Sequence, residues 1–317
     1  MLINDLQEDL NKFVENQNDF VACVYGVLQD GNTFNIKKLD IAASDQPSIR
    51  DLYLKSTQDQ LISKTDLSLI KLSSCDDRRE AIYEYDLELP ANLSFLKDLK
   101  LDDNLPKFNF GLDDLSKIKG LIVEIGNETK TFMIYKSFPL IHLFGRGSLY
   151  FGLKKAEERF ERIDQTFLRL TAGFQLLIYK DILYVVDLSF LEKSASFRGL
   201  IKAEAEKGIT AIENLGILDS VEPLKDMLDD LAFSRKLTKV INDSPVIKAG
   251  ISNVQIINFI KQHTMLSKKI KISADGTKIE LNTKVSKNEF LRVLLDDHLY
   301  SVLTSKLYVA RAKDDVA

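Results

Sequence analysis

Cysteine and histidine are scarce in this chain, two and three respectively among 317 residues. Cys23 and Cys75 are too few for a disulfide scaffold and lack the paired spacing of a zinc site, so a reducing compartment is the simpler expectation. His142, His263 and His298 lie far apart, and none forms a helical zinc pair or stands beside a cysteine pair. Long apolar runs are missing as well: no stretch approaches the roughly 20 apolar residues of a membrane span. The opening residues Met1-Leu2-Ile3-Asn4-Asp5 carry an acid where a secretory signal has a basic start. A cytoplasmic protein is expected, and any membrane association would come through a partner.

The usual catalytic signatures are lacking too. There is no Gly-x-Ser-x-Gly elbow, and Gly145-Arg146-Gly147 has neither the third glycine nor the strand-to-helix context of a dinucleotide fingerprint. Asp187 with Glu192 and Lys193, or Asp275 with Glu280 and Lys284, could be drawn as the carboxylates and lysine of a metal-dependent nuclease. Such trios arise by chance in a chain this charged, and turn or surface roles are the expected ones. Asp296-Asp297-His298 gathers two acids and an imidazole, but neighbours on a helix end diverge unless the backbone turns there. No catalytic residue, metal ligand or cofactor is therefore assigned. A protein that binds rather than catalyses is expected, with a metal-dependent nuclease as the alternative.

What the chain does have is a 45% hydrophobic composition, enough for proper cores in two domains, and an uneven charge. Residues 1–145 hold 16 Lys and Arg against 24 Asp and Glu, net −8; residues 146–317 hold the remaining 27 against 23, net +4. The front repels polyanions and the back tolerates them. The expected division is an acidic α+β lobe over 1–145, for partner docking or dimerisation, and a basic lobe over 146–317.

Periodicity predicts an α+β fold. Leu2, Leu6, Leu10, Phe13 and Val14 have helical spacing, and a further helix is predicted over Ile49–Ile62. Strand-like runs cover Phe20–Leu28, Phe34–Leu39, Ala81–Leu89, Leu121–Ile125 and Thr131–Phe138, the last two as a hairpin about Gly126-Asn127-Glu128-Thr129. In the back half, a hairpin over Phe174–Tyr179 and Ile182–Leu188 precedes a helical bundle reaching about Lys261. A small β-unit spans 269–281, and a last helix over Lys287–Leu295 has Ser286 as its cap and Glu289 three residues on.

Two basic clusters stand out. Lys261, Lys268, Lys269 and Lys271, with His263 among them, fall in a stretch without an acid; Arg235, Lys236 and Lys239 form a second cluster on a predicted helix. Lysines of this kind neutralise phosphates without reading bases. An ordinary solvated face has the same appearance, and charge alone does not separate the two. Anionic headgroups or an acidic protein partner would suit the clusters equally.

The C-terminal run Leu294-Leu295-Asp296-Asp297-His298-Leu299-Tyr300-Ser301-Val302-Leu303-Thr304, followed by Tyr308 and Ala312-Lys313, resembles the closing signature of the KwaB family of the Kiwa bacterial anti-phage system. Gly173-Phe174-Gln175-Leu176-Leu177-Ile178 through Phe190-Leu191-Glu192-Lys193, and Ala81-Ile82-Tyr83-Glu84-Tyr85-Asp86, are similar to its other characteristic stretches. The resemblance implies a cytosolic homodimer that works with a small membrane-spanning partner, KwaA, and binds DNA to block phage replication and transcription. It carries no catalytic motif. The terminal segment also has a local reading: Ser301 and Thr304 turn the chain, and the two aspartates lock the tail onto the body. A partner-contact role is the second reading.

Overall fold

Between Phe20 and Tyr179 most strand positions are apolar on both sides of the alternation, a pattern that only a sheet covered on both faces can use. A computed structural model builds that sheet. It describes residues 2–31, 33–75, 80–96, 105–138, 143–144, 153–156, 159–162, 167–193 and 195–310. The chain divides into two compact units. The first comprises Met1–Leu69, Glu80–Tyr85 and Ala91–Leu191; the second comprises Ile70–Arg79, Asp86–Pro90 and Glu192–Ala317.

In the first unit, α1 (Ile3–Glu15) leads into the hairpin of β1 (Val21–Asp30) and β2 (Thr33–Leu39), followed by α2 (Gln46–Thr57), which runs on into a wider turn over Gln58–Ile62. Then come β3 (Ser68–Lys71), β4 (Ala81–Glu84), β5 (Ile118–Gly126) and β6 (Thr131–Ser137). Four short strands follow: β7 (Leu143–Phe144) pairs with β10 (Phe167–Leu168), and β8 (Leu153–Ala156) with β9 (Arg159–Arg162). The hairpin β11 (Leu176–Tyr179) and β12 (Ile182–Val185) ends the series, and the eight-stranded order is β2-β1-β5-β6-β11-β12-β4-β3. Its pairings from β2 through to β4 are antiparallel.

Helix α1 buries Leu6, Leu10 and Phe13 against the sheet. The Phe13 ring meets Phe20 at 4.7 Å and stands edge-on to Phe132 at 4.9 Å, geometries that add to the area term. Its exposed side is pinned as well. Asp9 accepts from Lys180 Nζ at 2.6 Å, and the hydrogen bonds from Lys180 and Lys12 hold its carboxyl down to about 2. Lys180 and Asp181 both have positive φ, 51° and 60°, which a two-residue turn between these strands requires.

That hairpin departs from the expected layout. Sequence order put it in the basic back lobe, whereas β11 pairs with β6 and β12 with β4, inside the front unit's sheet. The divide falls near residue 191 instead of 145, because backbone hydrogen bonds recruit a strand by edge complementarity and take no account of charge along the chain. Strand β4 stops at Glu84, shorter than the expected Ala81–Leu89, with Pro90 beyond. The Gly145-Arg146-Gly147-Ser148 loop, His142, Asp102-Asp103-Asn104 and Ala312-Lys313 lie outside the described residues.

Helix α3 (Leu188–Glu192) closes the first unit, and helices dominate the second: α4 (Ala195–Asn214), α5 (Glu222–Lys225), α6 (Leu231–Asp243), α7 (Pro245–Lys248) and α8 (Asn253–Gln262). The small ribbon β13 (Lys271–Ile272) and β14 (Ile279–Glu280) precedes α9 (Lys284–Leu294), and the hairpin β15 (His298–Ser301) and β16 (Lys306–Val309) closes the described chain. This unit has its own core, centred on Ile209, Phe233, Leu237, Ile260, Phe290 and Leu294. Helix α9 begins earlier than expected. Its cap is Thr283, whose Oγ1 accepts from Ser286 N, so Ser286 occupies the third helical position and Glu289 lies a full turn inside.

Helix α4 contains two glycines in opposite circumstances. A Cβ at Gly208 would sit 2.6 Å from the Leu237 carbonyl oxygen on α6, whereas one at Gly199 meets nothing within 4 Å. Gly199→Ala is expected to raise the unfolding free energy by about 0.5–1 kcal/mol through helix propensity. Gly208→Ala is expected to lower it by about 1–3 kcal/mol, because two packed helices must part. Urea unfolding of the two variants checks both signs, and a stabilised Gly208→Ala would show that α4 and α6 do not approach this closely.

Candidate basic cleft and its carboxylate centre

Helix α9 is apolar on the side that enters the core, yet Glu289 sits among Phe290, Leu291 and Val293 with its side chain only 6% exposed. An ionised carboxylate in such a position needs compensation. Lys269 Nζ donates to Glu289 Oε1 at 2.9 Å, and Arg292 Nη1, one turn along α9, donates to the same oxygen at 3.0 Å. Burial opposes ionisation here, but the hydrogen bond from Lys269 and the charge of Arg292 outweigh it and hold the carboxyl below its ordinary 4.5. The other oxygen, Oε2, lies 3.5 Å from His298 Nε2.

His298 packs edge-on against His263, ring centroids 5.2 Å apart. His263 is itself buried after α8, where its Nδ1 accepts from the backbone of Met265 and Leu266. Burial lowers the pKa of His298, with the Glu289 charge pulling the other way, so the imidazole stays neutral further into acid than usual.

Beside this centre lies a cleft of about 250 Å³ lined by Arg235, Lys236 and Lys239 of α6, Arg292 of α9, Cys75 and Asp297. Arg235 is anchored by Glu192 at 2.6 Å, and Lys236 donates to Asn288 Oδ1 at 2.7 Å. Cys75 is half-buried with φ 50°, and its thiol is pushed up to about 11, chiefly by burial, with Arg235 opposing. It is a neutral wall of the cleft.

The two basic clusters of the sequence thus meet through one carboxylate. Arg235, Lys236 and Lys239 share the cleft with Arg292, and Arg292 shares Glu289 with Lys269. Lys268, Lys269 and Lys271 edge a second, shallow depression of about 240 Å³. Lys261 stands apart on α8, its Nζ 3.5 Å from the Gly276 carbonyl at the β13–β14 turn. Sequence reasoning missed Arg292, Glu289 and Cys75 as members of the site. The Glu289 to Arg292 spacing of three on a helix was a usable signal, hidden because Glu289 also fitted a capping pattern.

The acids considered for catalysis are occupied structurally. Asp187 accepts from Ser189 at the start of α3, and Asp275 accepts from Ser273 and Thr277 across a turn. The chain does turn after α9: Asp296 has φ 54° and is exposed, Asp297 is buried and reaches the cleft wall, and His298 faces Glu289. Among the described residues no group of three or more His, Cys, Asp or Glu gathers to hold a metal ion. Ser301 does turn the chain, accepting from Thr304 N, but Val302 and Leu303 beyond it are 86% and 95% exposed. Asp297 is buried at the base of the hairpin, where its carbonyl accepts from Ala310 N at 2.9 Å, while the exposed apolar tip offers a surface suited to contact.

Glu289 and His298 both have depressed pKa values, so each contributes stability above its unfolded value that is lost on acidification. Unfolding free energy is expected to fall first below the ordinary histidine value of 6.5 and again below the ordinary glutamate value of 4.5. His298→Gln removes the first fall. Glu289→Gln keeps an acceptor oxygen but removes the negative charge that compensates Lys269 and Arg292, and is expected to cost about 1–3 kcal/mol at neutral pH. Urea titrations across this range test both, and identical pH slopes for wild type and His298→Gln would remove the linkage.

Comparison with known proteins identifies the relatives. No solved structure matches this chain. Kiwa protein KwaB of Escherichia coli O55:H7 (strain RM12579 / EPEC) is 24% identical over 317 residues, covering 99% of both chains. A family described as Kiwa protein KwaB-like matches residues 115–304, a span that holds β5, β6, the β11–β12 hairpin and the whole basic cleft apart from Cys75. The chain belongs to the Kiwa protein KwaB-like family and is by that descent a component of a Kiwa anti-phage defence system.

Proposed function

We propose that this protein is a DNA-binding effector that acts without catalysis, blocking phage replication and transcription as part of a complex with a small membrane-spanning KwaA-like partner. Family membership supports the setting. The observation that supports nucleic acid as the ligand is that Arg235, Lys236 and Lys239 share a cleft with Arg292, whose partner Glu289 also binds Lys269, so that two sequence-distant basic clusters come together in the second unit. Lysines and arginines there would contact phosphates in register with no base readout, giving sequence-independent and salt-sensitive binding.

No helix among the described residues is long and apolar enough to cross a membrane. Recruitment to the inner face of the membrane would then fall to the partner. Docking of that partner, or of a second copy in a homodimer, is assigned to the acidic front of the chain, residues 1–145, and to the exposed apolar strip of the β15–β16 hairpin, with Tyr300, Leu303 and Tyr308.

Lys268 and Lys271 are exposed, whereas Lys269 serves Glu289. Lys268→Glu with Lys271→Glu and Lys261→Glu is therefore the informative variant, since reversing Lys269 would break the buried pair and unfold the site for an unrelated reason. The triple variant is expected to bind duplex DNA at least about tenfold more weakly in a mobility-shift assay and to lessen the salt slope by about 0.9 for each phosphate no longer neutralised. Unchanged affinity and slope would remove these lysines from the interface. DNA cleavage with magnesium or manganese that disappears in Asp297→Ala would replace this reading with the metal-dependent nuclease.

A further inference from the structure

We propose that the cleft between α6 and α9 is a binding site for a phosphate monoester, either a free mononucleotide or the phosphorylated end of a strand. This is distinct from the backbone contacts of duplex DNA, although it shares residues with the surface assigned to them above and to that extent rests on that reading.

Shape comes first. Contacts along a duplex backbone need an open, convex or grooved surface, which Lys261, Lys268 and Lys271 provide by their exposure. The cleft is concave and holds about 250 Å³, just under the range of about 300–1,000 Å³ occupied by ordinary small-molecule ligands. A terminal phosphate with its sugar fits a space of this size.

Charge comes second. Among the described residues, four cations and one carboxylate line the cleft, with Glu192 and Glu289 taking part of the charge of the two arginines. The excess suits a group carrying two negative charges. A monoester carries about −1.5 to −2 at neutral pH, whereas each backbone diester carries one.

The third consideration is preorganisation. Arg235 and Arg292 come from different helices and are each fixed by an acid, Glu192 at 2.6 Å and Glu289 at 3.0 Å. A guanidinium held on one edge keeps donors on the other, so the fork is ready for phosphate oxygens without further loss of side-chain freedom. Asp297, the acid of the lining, disfavours a plain run of phosphates.

Ala232 also lines the cleft and is exposed, so Ala232→Glu places a negative charge at the mouth while leaving the other lining side chains in place. The test uses the full chain and measures deoxynucleoside 5′-monophosphate binding by calorimetry, with inorganic phosphate as a minimal probe. In parallel, one oligonucleotide duplex with 5′-phosphate or 5′-hydroxyl ends is compared with closed circular DNA. Monophosphate binding that weakens at least about tenfold in Ala232→Glu and in Lys239→Ala, with unfolding midpoints preserved, is the expected result. It should survive in the Lys261, Lys268 and Lys271 variant, which separates this site from the duplex surface. Preference for 5′-phosphorylated over 5′-hydroxyl duplex identifies the strand end as the source; equal binding of the two duplexes together with monophosphate binding identifies the free nucleotide. Failure of the monophosphate and of inorganic phosphate to bind, with no preference between the two duplexes, overturns the proposal. Loss of circular DNA binding alone counts against the duplex surface only.

Discussion

A single buried carboxylate organises the polar part of the second unit. Glu289 cannot remain ionised among Phe290, Leu291 and Val293 unless cations come to it, and those that come are Lys269 from before the β13–β14 ribbon and Arg292 from its own helix. The resulting pair ties the ribbon's approach to α9, sets Arg292 at the wall of the cleft, and gives His298 its neighbour. Such an arrangement contributes little net stability, because desolvation cancels most of the attraction, but it fixes which side chains stand together.

That division of labour recurs through the molecule. The mass of the stability comes from apolar burial in two separate cores, one formed by the sheet with α1 and α2 and one among the helices α4 to α9. Polar groups then select geometry. Asp9 holds the β11–β12 turn to α1, Thr283 starts α9, and Glu289 collects the basic groups. The basic cleft is a by-product of this placement: Arg235 is positioned by Glu192, and Arg292 by Glu289.

Much of the local structure was legible in the sequence because it depends on near neighbours. The first helix, the β1–β2 and β5–β6 hairpins, the β11–β12 hairpin and the small ribbon follow from periodicity and turn chemistry. Sheet membership was not legible. The β11–β12 hairpin follows β6 by some forty residues and pairs with it on one side and with β4 on the other, contacts that no local pattern encodes. The cap of α9 was placed three residues late because Ser286 and Glu289 mimic a capping box that Thr283 and Ser286 make. The basic clusters were visible as runs, but their convergence was not, since it depends on Cys75, Arg235, Arg292 and Asp297 meeting from distant parts of the chain.

The sequence by itself determined the α+β composition, the uneven charge, the two lysine-rich stretches and the likeness to the Kiwa family, because each is a property of residue order or of residues a few positions apart. Only the tertiary structure decided where the units divide, which acids are taken up by turns and caps, and that an outwardly ordinary glutamate of α9 joins the two clusters. The reason is physical: local propensity acts over one or two turns, whereas burial of Glu289 forces a choice of partner across twenty residues of chain, and that choice is made only when the core closes.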